Sequence, residues 1–200
     1  MNLNPLATKL VPSITAMIRL DHTHVITTFH QFRASNSAAN RQALVNTACI
    51  ALEIHAQLED EIFYPALRAI APDEPHLAQS VPQHDEMRRL ITRLRSIGVD
   101  DPGYDETFME LMRDTLHHLA DEETILLPLA EDKLADQLSI LGARMTKRRL
   151  ELATPRAGEI AGNMVRGMPA TSMLMAAGAV LAGTYLVSRA SHRGDGPGAS

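Results

Sequence analysis

The stretch His55-Ala56-Gln57-Leu58-Glu59-Asp60-Glu61-Ile62-Phe63-Tyr64-Pro65 decides how this chain folds, because its outline occurs twice. The second copy is His118-Leu119-Ala120-Asp121-Glu122-Glu123-Thr124-Ile125-Leu126-Leu127-Pro128. Each copy sets a glutamate four residues after the histidine and a proline ten residues after it. Each is preceded by a lone histidine in a helical pattern, His22 before His55 and His84 before His118, 33 and 34 residues upstream. A repeat of this kind is one helical hairpin written twice.

In a helix, residues four apart stack on one face with Cβ atoms about 5–6 Å apart. An imidazole and a carboxylate so placed reach the same point in space, and the apolar neighbours show which way that point lies. His22 falls on a stripe with Ile14, Ile18, Val25 and Phe29. His55 and Glu59 share a face with Leu52, Leu58 and Ile62; His84 lies with Leu77, Val81, Met87 and Ile91. His118 and Glu122 lie with Leu111, Ile125 and Leu129. All six polar groups are therefore expected to point into an apolar interior. A buried carboxylate without a partner is very costly, and a pair of metal ions supplies positive charge to both at once. A single buried histidine is more often a hydrogen-bonded core residue than a ligand. Six positions matched in spacing and in facing argue for ligation.

The same test sets the other histidines aside. His24 sits on a polar face about 200° around the helix from His22. His117 shares a face with Arg113, Asp121 and Thr124 and breaks the spacing to Pro128. His30 and His76 have no carboxylate four residues on, and His192 belongs to the tail.

Working outward, helical periodicity dominates and strand signals are almost absent. The expected architecture is an all-α, up-and-down four-helix bundle with a short fifth helix and a C-terminal tail helix. The first helix covers about residues 13–33, with Ser13 after Pro12 as its N-cap. The second covers about 41–70, after a Ser/Asn loop at 34–40, with Pro65 kinking it or ending its regular part. The third covers about 76–97, with Pro82 as a candidate first residue of its main part, and Gly98 stops it. The fourth covers about 104–127 and ends near Pro128. A fifth, about 132–150, carries Leu134, Leu138, Leu141 and Met145 at helical spacing. In domain terms, 12–151 is the bundle, 152–167 a linker, 168–190 a candidate transmembrane or membrane-associated helix, and 191–200 a disordered end.

Bulk composition narrows the function. The 200 residues suffice for one substantial domain and a tail. A formal net charge of −5 and a single short basic cluster, Lys147-Arg148-Arg149, give no grip for nucleic acid. The one cysteine, Cys49, excludes an internal disulfide. Its neighbours Ala48 and Ile50 read as a buried helix, and no His, Lys or Arg lies one turn away to activate the thiol. A reducing cytoplasm suits this usage, and the N-terminus shows no charged region followed by an apolar run.

Four imidazoles and two carboxylates can hold two ions. With each glutamate bridging and an oxo or hydroxo group between the ions, about two of roughly twelve octahedral positions stay open. Open positions mean binding of a small molecule. Imidazole and carboxylate ligation without thiolate suits iron, or manganese, whereas structural zinc more often closes a tetrahedron with cysteine.

The pattern His22, His55-x-x-x-Glu59, His84, His118-x-x-x-Glu122 resembles the hemerythrin-like, HHE cation-binding domain family. Asp21-His22, Tyr64-Pro65 and Leu127-Pro128 are similar to its usual surroundings, and the likeness covers about residues 12–150. The resemblance implies a four-helix bundle with a non-haem di-iron centre that binds O2 or a related ligand such as peroxide or NO. It makes His22, His55, Glu59, His84, His118 and Glu122 the ligands. One departure changes the expectation. Oxygen-carrying hemerythrins have a fifth histidine one turn from the third-helix histidine, where this chain has Ser80 and Arg88. They also place an aspartate five residues after the fourth-helix histidine, where this chain has Glu122 at four. A missing nitrogen ligand leaves one ion more open. That favours oxygen or redox sensing, stress response or iron handling over simple O2 carriage. The alternatives are a di-iron enzyme acting on peroxide or nitric oxide, with Tyr64 or Asp60 as the nearest acid, and a metal-free helical interaction module.

The tail carries two readings. Residues 168–187 are free of charge and, as a helix, roughly match the ~30 Å bilayer core. Ala179 with Gly183, and Gly178 with Ala182, have small-xxx-small spacing. This is a C-terminal anchor to the cytoplasmic membrane. Pro169, Thr171, Ser172 and Thr184 dilute the apolarity, and the other reading is a soluble or partly disordered helix.

Overall fold

The computed structural model describes residues 12–167, and every regular element among them is a helix. Helix α1, Ile14–Gln31, starts where the sequence places it, because the Ser13 hydroxyl accepts the Ala16 amide at 3.2 Å. Helix α2, Ala38–Leu58, starts earlier than expected. Ser37, inside the presumed loop, caps it by accepting from the Asn40 amide at 3.3 Å.

Pro82 and Pro128 behave differently from expectation, while the rod carrying Pro65 is distorted just before it and runs on. Helix α2 runs through a π-helical turn, Glu59–Phe63, into α3, Tyr64–Arg68, without ending at Pro65. After α4, Pro75–Ser96, and α5, Tyr104–Asp121, the same device recurs. A π-helical turn, Glu122–Leu126, leads into α6, Leu127–Lys133, so Pro128 does not end the fourth rod. Each proline stands second in the helix after the wide turn, where its missing N–H costs little. Pro82 does not begin the third helix. Pro75 takes the first position, behind a Glu74 cap that accepts from the His76 amide at 3.1 Å. Pro82 lies inside α4 on its exposed face, as does Ala78, whose carbonyl loses its helical partner.

The rods α1, α2–α3, α4 and α5–α6 form an up-and-down ring in which each packs against its chain neighbour and α5 returns to α1. Helix α7, Leu138–Ala153, lies across α1 and α2. Gly142 makes that approach tight: a Cβ there would lie 2.2 Å from the Pro12 carbonyl oxygen. The stretch expected as a linker carries a 3-10 turn, Thr154–Arg156, and helix α8, Ala157–Gly167, which packs along α2. Among the described residues no helix is long and apolar enough to cross a membrane. The candidate anchor at 168–190 and the end at 191–200 lie outside the described residues.

The core is split in two. One apolar cluster includes Ile14, Ile18, Leu58, Phe63, Leu77 and Leu126; the other includes Val25, Leu52, Met87, Phe108 and Leu111. Burying each such side chain contributes about 1.5–3 kcal/mol. On every rod the residues between the two clusters are those of the repeated motif. A polar layer thus crosses the bundle with apolar packing on both sides.

Candidate metal centre

That layer holds all six motif residues. His22, His55, His84, His118, Glu59 and Glu122 are each 3 % exposed or less. Glu59 and Glu122 each open a π-helical turn, a feature common where a helix is distorted for function. The four Nε2 atoms converge on two carboxylate oxygens. Glu59 Oε2 lies 3.1 Å from His55 Nε2 and 3.4 Å from His84 Nε2. Glu122 Oε2 lies 3.2 Å from His22 Nε2 and 3.6 Å from His118 Nε2. Each glutamate thus meets one histidine of its own hairpin and one of the other.

The four Nδ1 atoms face outward. His22 Nδ1 donates to Glu123 Oε1 at 2.7 Å, His84 Nδ1 to Asp60 Oδ1 at 3.0 Å and His118 Nδ1 to Gln83 Oε1 at 2.8 Å. His55 Nδ1 faces Asp21 Oδ2 at 3.7 Å. In the neutral ring an outward Nδ1–H leaves the lone pair on the inward Nε2, which is the tautomer a ligand needs. The carboxylates are held in turn by arginines: Glu123 by Arg19, Asp60 by Arg88, and Asp21 by Arg149 at 2.5 Å.

These donors suit cations. His84 Nε2 and His118 Nε2 stand 3.1 Å apart, within hydrogen-bond distance, so a proton or an ion can bridge them. Both ring nitrogens of His55 and Glu59 Oε1 are buried without a hydrogen-bond partner among the described residues. Within the layer, two groups of donor atoms lie close enough to share an ion: His22, His55, Glu59 and Glu122, and Glu59, His84 and His118. All are N or O donors, and the one free cysteine, Cys49, belongs to an apolar cluster.

Without an ion the layer draws protons instead. Burial works to lower the His22 imidazole, but the adjacent Glu122 carboxylate outweighs it and raises the pKa to about 9. Burial likewise opposes charge on His84, and hydrogen bonds to Asp60 and Glu59 raise it to about 9. His118 is pushed down to about 3 by burial and by its histidine neighbours, against the pull of Glu122. Burial and the charge of Glu122 push Glu59 up. Burial opposes charge on Glu122 as well, but His118 and His22 hold it below the usual carboxylate range. The two glutamates thus draw positive charge into the layer.

Tyr64 stands among them. It is fully buried, and its hydroxyl donates to Glu122 Oε1 at 2.7 Å. The same oxygen is 3.3 Å from Glu59 Oε2 and 3.4 Å from His84 Nε2. Burial and the two carboxylates hold the phenol well above its ordinary pKa, so it keeps its proton. The sequence reading gives Asp21 and Tyr64 only as motif neighbours, with Tyr64 and Asp60 as candidate acids, and assigns no role to Gln83 or Glu123. The signal was present: Asp21 and Gln83 each precede a motif histidine, and Asp60 and Glu123 each follow a motif glutamate. The other described histidines stay apart from the centre. His24, His30 and His117 are exposed, His76 bonds Glu74, and His192 lies outside the described residues.

The family model for the hemerythrin HHE cation-binding domain matches residues 13–137. The chain belongs to this family. A crystal structure of an HHE cation-binding domain-containing protein from Mycobacterium kansasii has the same fold, with a TM-score of 0.60. The two are 21% identical, and the match covers 78% of this chain and 99% of the other. A DNA nickase from Nostoc is 25% identical over 125 residues, 62% of this chain and 35% of that protein. This HHE domain therefore spans about a third of the length of that relative.

Proposed function

We propose that this HHE domain holds two iron ions, with manganese as the other metal its donors accommodate, and presents them to O2 or a related small ligand. The reading places it in oxygen or redox sensing, stress response or iron handling. One observation carries it: four Nε2 atoms and two carboxylates converge in a buried layer while three of the four Nδ1 atoms donate outward to an acceptor. His22, His55, His84 and His118 would supply the nitrogen ligands, and Glu59 and Glu122 the oxygen ligands. When bound, iron supplies one-electron chemistry and an open position for a small molecule. The chain supplies the rest. The apolar clusters on both sides keep bulk water from the layer. The outward hydrogen bonds fix ring tautomers and orientations. Tyr64 Oη holds a proton against Glu122 Oε1 at the centre.

That proton supports a second reading, an oxidoreductase acting on peroxide or nitric oxide, since a phenol inside the layer can protonate a reacting oxygen. DNA nicking is not part of the proposal, because a net charge of −5 offers little attraction to a phosphate backbone. Metal analysis with anaerobic and aerobic spectra tests the first reading. About two irons per chain and a near-ultraviolet band from an oxo bridge are expected. Sustained turnover of peroxide by the iron-loaded protein would favour the enzyme. Absence of bound metal, with a melting temperature indifferent to chelators, would instead support a metal-free interaction module.

A further inference from the structure

The two hairpins place an equivalent ring of outer partners around the layer, and the ring is broken at one position. Within each hairpin, the residue before the first histidine faces the Nδ1 of the second: Asp21 faces His55, and Gln83 faces His118. Between hairpins, the residue after each glutamate faces the first histidine of the other: Asp60 faces His84, and Glu123 faces His22. Three of the four are carboxylates. The fourth, Gln83, is a half-buried neutral amide.

A carboxylate behind an imidazole makes the inward nitrogen a stronger donor and adds negative charge near the ion. An amide can orient the ring but brings no charge. Asp21 lies 3.7 Å from His55 Nδ1, beyond hydrogen-bond reach, but its charge still acts across that distance. The inner donors lean the same way. Glu122 groups with His22, His55 and Glu59 and reaches the other half only through His118, at 3.6 Å, whereas Glu59 belongs to both groups.

We propose that the two halves of the centre bind a divalent cation with unequal strength, the His22/His55 half the tighter, and that Gln83 sets much of the difference. This rests on the cation reading above. The His84/His118 half fills second and empties first, so a chain at limiting metal carries one ion. Gln83 acts through His118 and is a positioning residue.

The test is titration of the metal-free full-length chain with cobalt(II) under nitrogen, read by calorimetry and by the visible absorption of bound cobalt. Two steps are expected, separated by about 10–100-fold in affinity, the range of outer-partner effects. Gln83→Glu should strengthen the weak step roughly tenfold and narrow the gap. Gln83→Leu should weaken that step while the tight one stays in place. Asp21→Asn approaches from the other side and should weaken the tight step. Melting of each metal-free variant shows whether its fold is kept. Two equal steps in the unaltered chain, or a gap unchanged in both Gln83→Glu and Asp21→Asn, would overturn the inference and leave the cation reading standing. A chain that takes up no cobalt, iron or manganese would overturn both.

Discussion

The first hairpin, α1 to α3, and the second, α4 to α6, bring the same residues to the centre but meet the rest of the molecule differently. Helices α7 and α8 cover the outer side of the first. On the second, Met109 and Leu116 remain 54% and 43% exposed. The inner layer repeats, and the surroundings do not. Tyr64 of the first repeat corresponds to Leu127 of the second, so a phenol enters the layer from one side only. Asp21 is held by Arg149, which comes from α7, whereas Asp60 is held by Arg88 from the second hairpin itself. Arg149 lies beyond residue 137, where the family match ends. Duplication therefore accounts for the donors, and the C-terminal helices distinguish one half of the centre from the other.

Removing metal should have the largest effect and tests whether the shared layer depends on it. At a free ion concentration a thousandfold above Kd, bound metal contributes about 4 kcal/mol. Chelation should then lower Tm by roughly 10 °C for a domain of this size; an unchanged melting curve would remove the metal from the account of stability. Next comes the cover on the first hairpin. Gly142→Ala places a Cβ against the Pro12 carbonyl, so α7 must shift, at a cost of about 1–3 kcal/mol. Urea unfolding would report it, and a neutral result would mean that α7 is looser than its packing shows.

The arginine clamps sharpen the comparison further. Asp21 is 15% exposed and Asp60 26%, while Arg88 is itself 40% exposed. Arg149→Ala, which strands the more buried carboxylate, should cost about 2 kcal/mol. Arg88→Ala should cost under about 1 kcal/mol. Equal losses in denaturant melts would show that the two clamps are interchangeable.

The smallest effect concerns Cys49 of the first hairpin, whose counterpart in the second is the half-buried Met112. Burial pushes the Cys49 thiol up to about 12. Because the folded state holds this proton more tightly, the resulting stability is complete below the ordinary thiol pKa of 9.0 and is lost as pH rises towards 12. Iodoacetamide at pH 8 should modify the native thiol far more slowly than the urea-unfolded one. Comparable rates would show that this face opens readily.

Much of the fold was legible in one dimension because helical periodicity and the i, i+4 geometry are local. His55 with Glu59 and His118 with Glu122 had to share a face, and their apolar neighbours had to turn that face inward. The Ser13 cap was legible for the same reason. Pro82 and Pro128 act differently from their sequence reading because a proline's effect depends on whether a wide turn or an exposed carbonyl absorbs its missing N–H, and the three-dimensional packing decides that. The outer partners Asp21, Asp60, Gln83 and Glu123 adjoin motif residues in sequence, but adjacency does not say which histidine each one meets. Each reaches a histidine on another helix, so its role follows from how the rods are set side by side. Tyr64 was visible beside Pro65, but its hydroxyl reaches Glu122 of the other hairpin only once the bundle has closed. Residues within one turn are fixed by covalent geometry; partners 58 or 128 positions apart, as in Tyr64–Glu122 and Asp21–Arg149, are chosen by tertiary packing.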